Sequence, residues 1–91
     1  MKLYEMKSGE LVPFEITNLL VGYPLPSPRE GDWRIIKSVH SYPYEIQHLI
    51  PLCTGVGAYW FTLALYKTRQ QACRNIPCRV RDGERVYYEI E

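Results

Sequence analysis

Alternating apolar and polar residues mark the C-terminal segment 76–90, on both sides of the dipeptide Asp82-Gly83. An Asp-Gly dipeptide between two such runs is a strong signal for a β-hairpin. A two-residue turn would leave both faces mixed, whereas a three-residue loop over 81–83, with Gly83 left-handed, collects the apolar side chains on one face. The pattern therefore predicts a C-terminal hairpin over 76–90.

The second face of this hairpin is basic. In the predicted register Arg79 lies opposite Arg85, and like charges facing each other destabilise a sheet. Residues 67–85 also contain six basic residues against two acidic ones. We therefore predict a partner-binding surface, named here the arginine surface, formed by Arg69, Arg74, Arg79, Arg81, Arg85 and Tyr87. The alternative is that these cations complement the helix dipole, pair with nearby acids or face solvent, as surface charges usually do.

The N-terminus predicts another hairpin, formed by residues 1–7 and 10–16 around Ser8-Gly9. In this register Glu5 faces Val12 and one face is mostly apolar. Pro13 cannot donate a ladder hydrogen bond, so we expect the second strand at a sheet edge or Pro13 at a bulge.

The middle of the chain starts with a strand over 33–40, in which Ile35 and Ile36 point to opposite faces and so indicate a position inside the sheet. Residues 41–51 fit a short helix or a strand equally well.

The most apolar stretch predicts the main helix, over about 55–74. Thr54 can cap it, cationic residues fill its last turns, and Asn75 followed by a proline ends it. The competing interpretation is a strand over 58–66, because aromatic residues and threonine there favour β structure.

A chain of 91 residues is sufficient for one compact domain, 1–91. We expect an α+β fold in which an antiparallel sheet of four to five strands is covered by the main helix.

Three cysteines, Cys53, Cys73 and Cys78, cannot all pair within the chain, which favours a reducing compartment. The sequence shows no signal-peptide pattern and no uninterrupted apolar span. We therefore expect a cytoplasmic protein that does not enter a membrane.

A proline-rich loop over 22–32 is long for so small a domain, and loops of this length are often functional. Tyr23, Arg29 and Trp33 are therefore secondary candidates for binding. The prolines alternate with other residues, which does not match the spacing of a PxxP ligand.

Candidate chemistry is sparse. Cys73 and Cys78 could bind zinc together with a histidine, but their spacing in the sequence is looser than in zinc-binding motifs. A buried cysteine more often acts as a small hydrophobic residue. Cys53 has no identifiable orienting group to make it a nucleophile. Gly55-Val-Gly57 lacks the rest of a phosphate-binding motif. We therefore predict no metal, no cofactor and no catalytic residue.

By elimination, the sequence favours a non-enzymatic protein-interaction module, such as a small inhibitor or adaptor that docks on a larger partner with an acidic surface. Inhibitors encoded by mobile elements and housekeeping adaptors both have sequences of this kind. The alternative is a nucleic-acid-binding accessory protein that uses the basic hairpin, and a small enzyme is the third option. Unpaired sheet edges also permit a homodimer.

Overall fold

A single mixed β-sheet organises the chain. The computed structural model describes residues 2–14 and 25–90. The elements are β1 (Lys2–Lys7), β2 (Glu10–Pro13), β3 (Trp33–Lys37), β4 (Tyr44–Pro51), β5 (Ala58–Tyr66), α1 (Arg69–Asn75) and β6 (Arg85–Tyr88). The strand order is β2-β1-β6-β3-β4-β5, with β3 and β6 parallel and the other neighbours antiparallel. The α+β class is confirmed. The sheet has six strands instead of four to five, and it is mixed instead of purely antiparallel.

The N-terminal hairpin has the predicted register. Glu5 pairs with Val12, and the pairing continues from Tyr4–Pro13 to Lys7–Glu10. Ser8 and Gly9 both have positive φ, 51° and 83°, as tight hairpin turns require. The strand containing Pro13 is an edge strand, as predicted, while the predicted pairs that involve positions 1, 15 and 16 lie outside the described residues.

The third and fourth strands form the interior of the sheet. β3 lies between β6 and β4, which confirms its internal position, and Ile35 is fully buried. The ambiguous segment 41–51 contains strand β4, which pairs with β3 through Ile46 and Ile35.

The main helix predicted over about 55–74 is wrong, and the competing strand over 58–66 is confirmed as β5. The helix starts later, because Thr68 and not Thr54 caps it. The Thr68 hydroxyl accepts a hydrogen bond from the Gln71 N–H at 3.1 Å, and the Gln71 side chain accepts one from the Thr68 N–H at 3.4 Å. The predicted end of the helix at Asn75 is confirmed.

The C-terminal hairpin over 76–90 is also wrong. Residues 76–84 form turns and irregular backbone, and β6 inserts between β1 and β3. The Gly83 N–H donates to the Met6 carbonyl, and the Met6 N–H donates to the Glu84 carbonyl, both at 2.9 Å. Arg79 therefore does not lie opposite Arg85. Alternation identified a strand here but carried no information about which strands would flank it.

The main core lies between one face of the sheet and α1. Ala72 contributes from the helix, and Ile76 and Val80 contribute from the turns that follow it. These side chains pack on the sheet residues Met6, Trp33, Ile35, Ile46 and Val86 and on Ile90. Burying each large apolar side chain stabilises the fold by about 1.5–3 kcal/mol. Because α1 lies on this face, the opposite face is free to carry polar groups.

Gly83 offers a test of the turn that leads into β6. Its φ is +89°, and a Cβ added there would meet no atom within 4 Å, so a substitution is resisted by backbone conformation and not by a clash. We expect Gly83→Val to lower the free energy of unfolding by roughly 1–2 kcal/mol, measured by urea denaturation. Gly83→Asn, which tolerates the left-handed region, is the matched control and should cost less. Equal stability of wild type and Gly83→Val would contradict this account of the turn.

Candidate functional site

Arg85 of the predicted arginine surface is buried and paired inside the protein. Its Nη2 lies 2.7 Å from Asp32 Oδ2 and its Nε lies 3.2 Å from Asp32 Oδ1, a two-pronged ion pair. The two side chains are 6% and 1% exposed. Hydrogen bonding to Asp32 is the main cause that raises the pKa of Arg85. The positive charge of Arg85 is therefore paired with Asp32 inside the protein.

Tyr87 has a related internal role. It is buried, and its hydroxyl donates a hydrogen bond to the Pro26 carbonyl. Arg85 Nη2 donates to the neighbouring Ser27 carbonyl at 3.2 Å. Residues 25–28, which we call the proline segment, are thus fastened to the sheet by these two side chains.

The other four residues of the arginine surface are exposed. Arg69 and Arg74 lie on α1, and Arg79 and Arg81 lie in the turns after it. On a helix, positions five residues apart point about 140° away from each other, so Arg69 and Arg74 do not share one face. The structure therefore separates the predicted set into four exposed cations and a buried pair, Arg85 and Tyr87.

Of the secondary candidates, Tyr23 lies outside the described residues and Arg29 is exposed. Trp33 is 5% exposed and belongs to the core. Its ring stacks on His48 with centroids 3.8 Å apart, and its Nε1 donates to Glu84 at 3.0 Å. Trp33 therefore has a structural role in the core and is not exposed for binding.

The strongest candidate for binding is the edge strand β5, which the helix prediction missed. Four large apolar side chains on this strand are between 41% and 48% exposed. We call them the β5 edge surface: Tyr59, Phe61, Leu63 and Leu65. The nine residues of β5 contain no charge and no proline. The aromatic composition that supported the strand alternative was the available sequence signal.

A bulge interrupts β5 at Leu63. Ile46 pairs with Ala64 and Gln47 pairs with Thr62, so Leu63 has no opposite residue on β4. Bulges bend a strand and redirect its side chains. Leu63 can therefore be changed without removing a cross-strand pair.

The part of the chain around β5 carries only positive formal charge. No aspartate or glutamate occurs between positions 46 and 81, a stretch that includes β5 and α1. It contains five cationic residues, all exposed: Lys67, Arg69, Arg74, Arg79 and Arg81. Lys67 directly follows the end of β5, and Arg69 lies two residues further along the chain. This charge distribution complements an acidic surface.

The sheet face opposite α1 carries a polar arrangement around Arg34. The Arg34 guanidinium lies over the Trp60 ring, 4.3 Å from its centroid, and its Nε donates to Gln47 Oε1 at 2.5 Å. Its Nη1 is 3.5 Å from Glu89. Partial burial lowers the pKa of Arg34, and the carboxylates of Glu89 and Glu45 oppose this shift.

Glu45 holds Gln47 in place. The Gln47 side-chain amide donates to Glu45 Oε1 at 3.2 Å, and the Thr62 hydroxyl donates to the same oxygen at 3.0 Å. His40 Nε2 lies 2.9 Å from the other carboxylate oxygen. The hydrogen bond with His40 is the largest cause that lowers the pKa of Glu45. A connected row of polar groups thus orients Arg34.

The cysteines are free thiols. Cys53 and Cys78 are exposed and Cys73 is half-buried, so Cys78 is not the buried hydrophobic residue that the sequence analysis favoured. Burial raises the pKa of the Cys73 thiol.

Within residues 2–14 and 25–90, no three side chains of His, Cys, Asp or Glu are grouped to hold a metal ion. In the same part of the chain, no helix has the length and apolar character required to cross a lipid bilayer.

The Asp32–Arg85 pair can be tested by comparing single and double variants. Asp32→Leu leaves a buried cation without its partner and should lower the free energy of unfolding by about 3–5 kcal/mol. The double variant Asp32→Leu/Arg85→Met replaces the pair by apolar groups and should recover most of that loss, as read from chemical denaturation. A double variant as unstable as Asp32→Leu would show that the pairing is not the cause.

Glu45 should make stability sensitive to acid. Folding lowers its pKa below the unfolded value of about 4.3, so its contribution is complete above that pH and is lost as the pH falls through the lower folded-state pKa. Glu45→Gln should therefore flatten the decline of the melting temperature between neutral pH and about pH 3. Glu10→Gln, on an exposed residue of β2, controls for the loss of one carboxylate. An acid profile unchanged by Glu45→Gln would contradict the assignment.

Comparisons with known proteins do not supply a function. No family model matches the chain, and no curated protein or solved structure is significantly similar to it. The features of the structure that bear on function are therefore the β5 edge surface and the polar sheet face around Arg34.

Proposed function

We propose that this protein is a non-enzymatic interaction module that binds an extended, acidic segment of a partner protein along β5. The observation that carries the proposal is the β5 edge surface, a nine-residue edge strand with four half-exposed apolar side chains and no charge. An inhibitor or adaptor acts through such a surface without needing a catalytic group.

An edge strand binds by adding a partner strand to the sheet. Its outward N–H and C=O groups can form main-chain hydrogen bonds with the partner, and the exposed side chains provide specificity. Natural proteins usually protect such edges with lysine, proline or a short strand length. The opposite edge, β2, is four residues long and contains Pro13, whereas β5 has none of these three protections and is interrupted only by the bulge at Leu63. The contrast favours β5 as the binding edge.

The charges beside β5 support an acidic partner. Lys67 and Arg69 are exposed immediately after the strand, within the stretch that lacks acidic residues. Acidic groups beside a partner strand would face these cations and speed association. The exposed arginines at 74, 79 and 81 extend the same charge, so part of the predicted arginine surface retains a role in the proposal.

A second copy of the chain fits β5 less well than an acidic partner. Antiparallel self-pairing would place the cationic end of one strand beside the start of the other, which follows the uncharged segment 52–57. Such a dimer gains apolar contact but no charge attraction.

The free thiols are consistent with a reducing compartment, and we place the interaction in the cytoplasm.

Substitutions on β5 test the proposal. Leu63→Glu and Phe61→Glu put a negative charge on the apolar edge, where it would repel an acidic partner, and should reduce binding of the partner at least about tenfold, equivalent to about 1.4 kcal/mol. Val39→Glu is the matched control, because Val39 is fully exposed in a loop. The measurement is quantitative affinity capture from cell extract treated with nuclease, followed by a dissociation constant with the purified partner. Thermal unfolding should show that all three variants remain folded.

The outcomes separate the competing functions. Capture that survives both β5 variants would contradict binding through this edge. Capture that disappears with nuclease, with a steep salt dependence, would indicate nucleic acid instead. A doubled mass in sedimentation that Leu63→Glu returns to the monomer would identify a second copy as the occupant, contrary to the proposal.

A further inference from the structure

A pocket of about 410 Å³ lies on the sheet face opposite α1. It is bordered by the proline segment, by Trp60 and Tyr87, and by two charged residues, Arg34 and Glu89. Its volume is within the range of about 300–1,000 Å³ that is usual for small-ligand sites.

Arg34 is held in a fixed orientation with donors left over. Its position over the Trp60 ring and the hydrogen bond to Gln47 restrain the guanidinium. Glu89 lies 3.5 Å from Nη1, beyond the usual hydrogen-bond range of about 2.7–3.2 Å. Among the described residues, the Nη groups of Arg34 have no hydrogen-bond acceptor within that range.

The walls of the pocket are mostly apolar because their polar groups point elsewhere. The carbonyls of Pro26 and Ser27 accept hydrogen bonds from Tyr87 and Arg85 on the sheet. The proline segment therefore offers hydrocarbon surface to the pocket, from Leu25 and the two prolines, and the hydroxyl of Tyr87 is already occupied.

We propose that this pocket binds a carboxylate joined to a flat apolar group. The guanidinium of Arg34 would hold the carboxylate through two parallel hydrogen bonds, the geometry in which arginine pairs most strongly with this group. The apolar group would pack on the proline segment and the ring of Tyr87. Glu89, at the exposed rim, competes with the ligand for Arg34 and moves aside when the ligand binds.

This inference goes beyond the proposed function, because Tyr59 and Phe61 of the β5 edge surface lie on the α1 side of the sheet and the pocket lies on the other side. Leu65, opposite Glu45, is on the pocket side but does not line the pocket. Trp60 and Phe61 are neighbours on β5 and point to opposite faces. Trp60 pairs across from Leu49, and Phe61 pairs across from His48. A variant at Phe61 can therefore remove edge binding without entering the pocket.

The test uses N-acetylphenylalanine, with N-acetylphenylalaninamide as its uncharged counterpart, in calorimetric titrations of the full chain. We expect the acid to bind at least about tenfold more tightly than the amide. Arg34→Gln should weaken binding of the acid by a similar factor, and Arg69→Gln, which removes an exposed arginine of α1, should leave it unchanged. Glu89→Gln should strengthen binding, since it removes the competing carboxylate.

A second probe distinguishes the source of the ligand. Tighter binding of naphthoate would identify a free aromatic acid, and tighter binding of N-acetylphenylalanine would identify the C-terminal residue of a peptide. Either result supports the shared chemistry. Phe61→Glu should bind both probes as the wild type does, whatever the outcome of the edge experiment.

Three results would overturn the proposal: no binding of either acid, equal binding of acid and amide, or weaker binding of the acid by Glu89→Gln. If Arg34→Gln fails to fold, the Glu89→Gln result remains decisive, because that residue is exposed at the rim.

Discussion

The buried ion pair between Asp32 and Arg85 joins two parts of the fold that lie 53 residues apart in sequence. Asp32 directly precedes β3, and Arg85 begins β6, the strand that β3 flanks in parallel. The pair places a charged group of β6 under the proline segment, where Arg85 also donates to Ser27. Two desolvated charges require each other and additional hydrogen bonds to be tolerated inside a protein. This requirement fixes β6 in the middle of the sheet and the proline segment over one face.

The two edges of the sheet are built differently, and that asymmetry is the basis of the proposed binding edge. β2 is short, ends in a proline and is set by a tight local hairpin. β5 is long and uncharged, and its exposed side chains are mostly apolar. Within residues 2–14 and 25–90 it pairs only with β4. An edge of this kind invites pairing with another chain. The proposed binding role rests on this unprotected strand and on the exposed cations that follow it in sequence.

β5 also connects the two candidate sites. The bulge at Leu63 divides it, and alternation sends Phe61 toward one face and Trp60 toward the other. Trp60 supports Arg34, whose orientation depends on Gln47 and, through it, on Glu45. The pocket is therefore preorganised by side chains of β3, β4 and β5, while the edge surface depends on the backbone of β5.

Local signals in the sequence were sufficient for the N-terminal hairpin, the internal strand at Ile35 and the helix end at Asn75, because each depends on residues close together in the chain. Tertiary structure alone decided the neighbours of β6. The late start of α1 had a local signal that the prediction passed over, the capping box of Thr68 and Gln71. Alternation shows which side chains share a face, but it does not show which strand lies alongside. Arg85 was predicted as a surface cation because its partner, Asp32, is 53 residues away in sequence. The candidate sites were missed for the same reason, since the Arg34 pocket and the open edge of β5 exist only after distant strands have paired.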